Sequence, residues 1–128
     1  MNEIRELKLT KGYWYLATPY SKWKGGLDDA AFIAAKVAGR LIRAGVHVFS
    51  PIAHSHHISV AAEIDLRSYE IWLSLDKPLF EAAYGILVAD LDGWDESYGV
   101  AQELKWAREH GKPRYLVHPE LLTWEVIL

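Results

Sequence analysis

The sequence predicts one α/β domain spanning residues 1–128, built as a doubly wound, Rossmann-like parallel sheet in three layers. Short apolar runs alternate with helical patterns along the chain, which is the order that parallel strands with crossover helices require. The centres of the apolar runs lack polar alternation, which is typical of strands buried on both faces. A length of 128 residues suits a single domain, and no interior linker separates a second one.

The individual elements follow from these runs and from the residues that end them. Apolar and aromatic runs predict strands at residues 13–17, 46–49, 84–89 and 114–117. Helical spacing of apolar residues predicts helices at residues 28–44, 60–73 and 101–110. Asp76, placed before Lys77-Pro78, predicts the start of a short helix that ends near residue 83. Residues 52–59 are predicted as a loop, and residues 121–127 fit either a helix or a strand.

Composition excludes several classes of function. The net charge is −3, with 14 basic and 17 acidic residues, which argues against a basic surface for nucleic acid. No cysteine is present, so the chain has neither a disulfide framework nor a thiolate nucleophile. No apolar run approaches the roughly 18 residues of a membrane span, and residues 1–10 do not resemble a signal peptide. We therefore expect a cytoplasmic protein that binds neither nucleic acid nor membrane.

Ligands of parallel α/β sheets bind beyond the carboxyl ends of the strands. The segments predicted at this edge are residues 18–26, 50–59 and 90–99, and they hold most of the unusual polar residues. The last segment contains Gly93 and Gly99, which allow a ligand to approach the backbone, and it leads into a helix whose free N–H groups can hold an anion. We expect the functional site where these three segments meet.

Two carboxylates are candidate catalytic groups. Glu103 is predicted near the start of a helix, where the dipole favours the ionised form of a nucleophile by roughly 0.3–1 kcal/mol. Asp76 lies beside Leu79 and Phe80, where desolvation and a second carboxylate would raise its pKa, as suits a general acid. Each also has a structural interpretation: Glu103 complements the helix dipole, and Asp76 is a helix N-cap.

Hydroxyl side chains near these segments are candidate ligand contacts. Tyr15 and Tyr20 flank Thr18-Pro19 at the end of the first strand, where a phenol orients a carboxylate, stacks on a base or packs in the core. Ser97 stands at the entrance to the helix that carries Glu103. Its hydroxyl could hold a phosphate or a ribose hydroxyl, or it could simply cap the helix.

Three histidines, His54, His56 and His57, lie on one predicted loop. Such a density is compatible with zinc, with Glu63 or Asp65 as a third ligand, but the spacing matches no metal signature. We expect neither a metal nor a cofactor, and assign the histidines to ligand contacts or to hydrogen bonds within the loop.

Several segments, taken in order, define a resemblance. They are residues 15–21 (Tyr-Leu-Ala-Thr-Pro-Tyr-Ser), Asp76, and residues 97–103 (Ser-Tyr-Gly-Val-Ala-Gln-Glu) followed by Gly111-Lys112-Pro113. Together they resemble the nucleoside 2-deoxyribosyltransferase-like superfamily, which includes the transferases and the 2'-deoxynucleoside 5'-phosphate N-hydrolases. The resemblance covers residues 13–117. The chain looks most like a bacterial and phage branch with a Ser-Pro-Ile-Ala-His-Ser-His segment, here residues 50–56.

The resemblance implies roles for three residues. Glu103 attacks the anomeric carbon, Asp76 protonates the leaving base, and Tyr15 positions the nucleophile. A glycosyl-enzyme ester forms, which water resolves in a hydrolase and a second base resolves in a transferase. The substrate-binding residues expected around this centre are Thr18, Pro19, Tyr20, Ser21, His54, Trp94, Ser97 and Gly99.

Other positions bear on the substrate. Ser97 occupies a place where the transferases carry an aspartate and the phosphate-using hydrolases carry a serine, which favours a 5'-monophosphate. Lys22 and Lys24 are then the candidates for holding the phosphate. Residues 50–65 depart from the transferases. Residues 121–124 give no match to the polar residue that a neighbouring subunit often contributes in that superfamily. The apolar tail and the many aromatic residues suit a homo-oligomer, a dimer or a tetramer.

We therefore expect an N-glycosidase or deoxyribosyl transferase acting on small-molecule (deoxy)nucleosides or their 5'-monophosphates. One alternative is a non-catalytic nucleotide-binding or sensing module of the same fold. Another is a metal-dependent hydrolase that uses His54, His56 and His57.

Overall fold

The apolar runs form a six-stranded sheet, which four α-helices cover in a computed structural model that describes residues 2–128. The elements in chain order are β1 (Asn2–Glu3), β2 (Trp14–Ala17), α1 (Leu27–Arg43), β3 (Val48–Phe49), α2 (Pro51–Ala62), α3 (Tyr69–Glu81), β4 (Gly85–Ala89), α4 (Tyr98–Glu109), β5 (Arg114–His118) and β6 (Thr123–Val126). Short 3₁₀ turns occur at Ile4–Leu7 and Trp94–Glu96. None of the helices within residues 2–128 is long and apolar enough to cross a membrane.

The sheet is mixed, which corrects the prediction of a purely parallel, doubly wound sheet. Its strand order is β1-β6-β5-β4-β2-β3, and the four strands β3, β2, β4 and β5 run parallel as expected. β6 pairs antiparallel with β5, and β1 pairs antiparallel with β6. The few residues between β5 and β6 form a tight turn, whereas a parallel return would need a crossover of a dozen or more residues. The ambiguous tail is therefore an antiparallel strand.

Alternate residues of β2 enter two separate cores, one on each face of the sheet. Trp14 and Leu16 pack against α1 in the first core, whereas Tyr15 and Ala17 pack with Phe80 in the second. All four β2 residues are buried. The α/β class and the burial of the central strands on both faces are thus confirmed.

The prediction of a loop at residues 52–59 is wrong, because these residues belong to α2. The Ser50 hydroxyl accepts a hydrogen bond from the Ala53 amide at 3.1 Å, and Pro51 occupies the first helical turn, so Ser50-Pro51 starts a helix. The buried face of α2 is made of Pro51, Ser55 and Ser59. Both of these serine hydroxyls bond back to helix carbonyls four residues earlier. A helix that buries serines has no apolar period to detect.

The predicted helix at 60–73 and the predicted helix start at Asp76 are also wrong. The chain leaves α2 at Glu63, which adopts a left-handed conformation with φ 56°, and α3 then runs from Tyr69 through Pro78 to Glu81. Asp76 lies in the interior of α3, so it is not an N-cap. Pro78 removes one helical hydrogen bond but does not end the helix. Packing of Phe80 in the second core holds the last turns of α3 in place.

Candidate functional site

The carboxyl end of β2 opens into two neighbouring cavities. The inner pocket, of about 70 Å³, lies among β2, α2, α3 and α4. Its lining comprises Thr18, Tyr20, Ser21, Ile52, Ser55, Ser59, Leu66, Tyr69, Trp72, Leu73, Asp76, Ser97, Gly99 and Glu103. The outer cleft, of about 710 Å³, is lined by Pro19, Tyr20, Ser21, Lys22, Trp23, Lys24, Gly25, Asp29, Asp92, Gly93, Asp95, Glu96 and Ser97. Three residues shared by both cavities, Tyr20, Ser21 and Ser97, form the passage between them.

Glu103 projects from the second turn of α4 into the inner pocket and is only 8% exposed. Its pKa is raised from 4.5 to about 8, mainly by burial and to a smaller extent by the charge of Asp76. Burial of Glu103 therefore opposes the ionised form that the helix dipole favours. The dipole contributes up to about 2 kcal/mol at a buried position, whereas a rise in pKa of this size corresponds to several kcal/mol. At neutral pH Glu103 is mainly protonated.

Asp76 enters the same pocket from α3 and is 7% exposed. Burial raises its pKa from 3.8 to about 6, which is the direction that the sequence predicts for this residue. Because Glu103 has the higher pKa, the two carboxyls hold one proton between them over the range separating these values.

Three buried polar atoms at this site lack a hydrogen-bond partner: the Tyr15 hydroxyl, Thr18 Oγ1 and Asp76 Oδ1. Within residues 2–128 these are the only fully buried side-chain nitrogen or oxygen atoms without one. An unpaired buried polar group costs about 1–3 kcal/mol, so three at one place are tolerated only where another requirement keeps them. The unpaired groups of the described chain are thus concentrated around the inner pocket.

Tyr15 is a buried residue of β2 that lies behind the inner pocket, next to Glu103. Its hydroxyl lacks a well-formed hydrogen bond but faces Glu103, and its donor character lowers the pKa of Glu103 and partly offsets burial. Burial and the charge of Glu103 raise the pKa of Tyr15 far above its ordinary value, so the phenol stays protonated. A protonated phenol beside a carboxyl can donate a hydrogen bond to it and favour its ionised form.

A side-chain relay that the sequence does not reveal supports the passage between the cavities. The Tyr20 hydroxyl lies 2.5 Å from His56 Nδ1, and His56 Nε2 lies 2.7 Å from Asp28 Oδ1. Burial, followed by the charge of Asp28, raises the pKa of Tyr20 to about 12. The three residues come from the β2–α1 loop, α2 and α1, so no spacing along the chain could have predicted the relay.

Most of the sequence-predicted site residues come together here. Seven line the inner pocket: Thr18, Tyr20, Ser21, Asp76, Ser97, Gly99 and Glu103. Ser97 also caps α4, because its hydroxyl accepts a hydrogen bond from the Val100 amide at 3.3 Å. Pro19 lines the outer cleft, and Trp94 packs against the second core. His54 is exposed on α2 with its ring against Phe49, apart from both cavities.

The pocket also contains residues that the sequence interpretation missed. Ser55 and Ser59 form its wall on α2, and Trp72 and Leu73 form its wall on α3. The spacing of the two serines by four residues was the available signal, since it places both on one helical face. The buried face of α2 is thus small and polar where it borders the pocket.

The charge of the outer cleft is mixed. Lys22 and Lys24 are present as expected, but four acidic side chains share the lining: Asp29, Asp92, Asp95 and Glu96. Asp29 also accepts a hydrogen bond from the Trp23 indole at 2.7 Å. Acidic side chains therefore outnumber the two lysines in the lining of the outer cleft.

The three histidines point in different directions. His56 is held by Tyr20 and Asp28, while His54 packs against Phe49 and His57 is exposed. Across the residues described, 2–128, no three His, Cys, Asp or Glu side chains are grouped so that they could hold a metal ion.

Residues 12–118 match the family model described as "Domain of unknown function (DUF1937)". The match covers most of the chain and every candidate site residue, so the chain belongs to this family. No curated protein matches the chain. The family match carries no link to the nucleoside 2-deoxyribosyltransferase-like superfamily, and that resemblance stays a prediction.

Proposed function

We propose that the protein is an N-glycosidase or deoxyribosyl transferase that acts on deoxynucleosides or their 5'-monophosphates through a glycosyl-enzyme intermediate. The observation that carries this proposal is the pair of buried carboxyls, Asp76 and Glu103, which line one pocket and whose pKa values burial raises. Retaining glycosidases divide the roles of nucleophile and acid between two carboxyl groups. Two neighbouring carboxyls whose surroundings push their pKa values apart suit this division of roles.

The productive protonation state has the charge on Glu103 and the proton on Asp76. One proton resides on the pair between about pH 6 and about pH 8. The Tyr15 hydroxyl favours the charge on Glu103, as does the positive charge that develops on the sugar in the transition state. The minor tautomer is thus the reactive one, and its share of the singly protonated pair is independent of pH.

The first step then forms one bond and breaks another. A Glu103 carboxylate oxygen bonds to C1' of the sugar while the C1'–N bond breaks, and its electron pair leaves with the base. Asp76 transfers its proton to that base nitrogen. In the second step water or an acceptor base attacks C1', Asp76 takes the proton of this nucleophile, and the ester bond to Glu103 breaks.

Each of the two cavities would hold a different part of such a substrate. The inner pocket is small, about 70 Å³, so it receives only the part of the ligand that meets the carboxyls, the sugar around C1'. The outer cleft, about 710 Å³, receives the remainder. Because four carboxylates accompany Lys22 and Lys24 there, the charge balance favours an uncharged nucleoside over a 5'-monophosphate.

A non-catalytic nucleoside-binding module is the second candidate, and one observation favours it. Glu103 is mainly protonated at neutral pH, and a neutral carboxylic acid donates a hydrogen bond rather than attacking carbon. Such a module would bind the ligand without cleaving it.

A chromatographic assay with deoxynucleosides, ribonucleosides and deoxynucleoside 5'-monophosphates, with and without a free acceptor base, tests these functions. The variants are Glu103→Gln and, as a matched control, Glu109→Gln, which is exposed on the same helix. We expect wild type and the control to release free base and Glu103→Gln to release none. Mass spectrometry of the quenched enzyme should detect the glycosyl ester.

The other outcomes separate the candidates. Calorimetric binding of a nucleoside without release of base would replace the enzyme with the binding module. Neither binding nor release across the panel, with a folded protein, would contradict both candidates.

A further inference from the structure

We propose that Tyr20 is a specificity-determining residue that presents a hydrogen-bond acceptor to a hydroxyl group of the sugar, because His56 and Asp28 hold its proton in the opposite direction. The choice of a sugar hydroxyl rests on the proposed function. The orientation of the Tyr20 proton rests on the relay alone and is tested separately.

The donor and acceptor roles in the relay follow from Asp28, the residue at its exposed end. Asp28 is a carboxylate and can only accept, so the hydrogen between it and His56 belongs to His56 Nε2, 2.7 Å away. A neutral imidazole carries one ring hydrogen, so Nδ1 is then an acceptor. The hydrogen in the 2.5 Å contact therefore belongs to Tyr20, whose hydroxyl donates to His56 Nδ1.

The surroundings of the relay keep this direction fixed. The His56 side chain is only 11% exposed, whereas the Asp28 side chain at the outer end of the relay is 95% exposed. The Tyr20 and His56 rings meet edge to face, with centroids 5.7 Å apart. Two charges act on the phenol: Asp28 raises its pKa and Arg67 lowers it, while burial has the largest effect. With a pKa of about 12, Tyr20 retains the proton that it donates.

A hydroxyl that has donated its hydrogen keeps its lone pairs. Tyr20 lines both the inner pocket and the outer cleft, so it lies where a ligand that occupies both cavities would contact it. An acceptor at this point selects a group that carries hydrogen, such as a sugar hydroxyl. It rejects groups of similar size without hydrogen, such as fluorine, an ether or an ionised phosphate oxygen, because the bound ligand would displace water from the Tyr20 oxygen and leave its lone pairs without a donor.

The first test is independent of any ligand. Long-range ¹H–¹⁵N spectra of uniformly ¹⁵N-labelled protein at about pH 8, above the ordinary titration range of imidazole, report which ring nitrogen carries hydrogen. The signals of His56 are assigned by their absence from His56→Gln, and His57→Gln, exposed on the same helix, is the matched control. We expect hydrogen on Nε2 of His56. Hydrogen on Nδ1 would overturn the proposal.

The second test measures discrimination at the proposed hydroxyl. Calorimetry on the Glu103→Gln background, where no turnover is expected, compares the tightest-binding deoxynucleoside with its 3'-deoxy-3'-fluoro analogue. With Tyr20 present, the analogue should bind about 5- to 50-fold more weakly. Adding Tyr20→Phe should reduce this ratio to about twofold or less, since no acceptor remains.

Each result decides a different claim. An unchanged ratio in Tyr20→Phe would overturn the contact with the sugar hydroxyl. If no nucleoside binds, the proposed function fails, and the tautomer of His56 still decides whether Tyr20 is held as an acceptor.

Discussion

Trp14 and Tyr15 are consecutive aromatic residues of β2, and both are buried, at 2% and 0% exposure. They enter opposite faces of the sheet. The Trp14 indole donates to the Leu7 carbonyl at 2.7 Å, whereas the Tyr15 hydroxyl has no well-formed partner. Both residues contribute apolar surface to a core, yet one polar atom is paired and the other is not.

The same contrast holds for the two ends of the second core. At the end away from the pocket, the Tyr13 hydroxyl donates to the Leu79 carbonyl and Lys112 donates to the Ala83 carbonyl. At the pocket end, Thr18 Oγ1 and Asp76 Oδ1 are unpaired. The fold thus pairs its buried polar groups at one end of the second core and leaves them unpaired at the end that borders the inner pocket.

The largest expected effect is on turnover, and it comes from Asp76→Asn, which changes a residue at the unpaired, pocket end of the second core. If the proposed function holds, turnover should fall about 10²- to 10⁴-fold, because the proposed proton donor for the leaving base is lost. The wild-type pH profile should be bell-shaped, with apparent pKa values of about 6 and about 8 for the pair.

In Asp76→Asn the decline on the alkaline side should disappear, since only ionisation of Glu103 then governs the rate. Glu70→Gln, exposed on the same helix, is the control and should keep the bell. Steady-state kinetics from about pH 5 to about pH 9 measure both profiles. A bell-shaped pH profile that persists in Asp76→Asn would mean that another group is the general acid.

The next effect concerns stability and comes from Glu103→Gln. The pKa of Glu103 is raised from 4.5 to about 8, so the folded state increasingly resists its ionisation as pH rises through this range. Near pH 4.5 the wild-type residue is neutral and the variant should differ little. By about pH 8 the variant should be more stable by on the order of 2–4 kcal/mol.

Urea denaturation of both proteins at several pH values measures this difference in the free energy of unfolding. Glu109→Gln should show no comparable dependence on pH, because its side chain is exposed. A stability difference that is constant with pH would mean that Glu103 is not desolvated as the pocket geometry indicates.

A smaller change in the free energy of unfolding is expected for Trp14→Phe, which removes a paired polar atom from the first core. Trp14→Phe leaves the Leu7 carbonyl without its donor and opens a cavity in the first core. We expect a loss of about 2 kcal/mol in the free energy of unfolding, measured by urea denaturation. Turnover per folded molecule should be unchanged, and a large fall in kcat would mean that the two faces of β2 are coupled.

The smallest change in stability is expected for Tyr15→Phe. Removal of an unpaired hydroxyl should leave the free energy of unfolding within about 1 kcal/mol of wild type. Turnover should fall about tenfold, because Glu103 loses the donor that favours its ionised form. A destabilisation as large as that of Trp14→Phe would show that the Tyr15 hydroxyl is paired after all.

The sequence by itself determined the central strands, α1, α4 and the edge of the sheet where the site lies. These elements could be predicted because their buried faces are apolar, so the spacing of apolar residues and the turn residues at their ends are visible in the sequence. It also singled out Asp76 and Glu103 as a pair of carboxyls. Residues 52–59 were missed because α2 buries Ser55 and Ser59, which carry no apolar signal.

Only the tertiary structure decided the protonation and the hydrogen bonding of the candidate site. The Glu103 pKa depends on burial by three other elements, which outweighs the local helix dipole that the sequence makes visible. The relay from Tyr20 through His56 to Asp28 joins residues 36 and 28 positions apart in the chain. Hydrogen bonds and desolvation act between residues that folding brings together, so a pattern along the chain cannot report them.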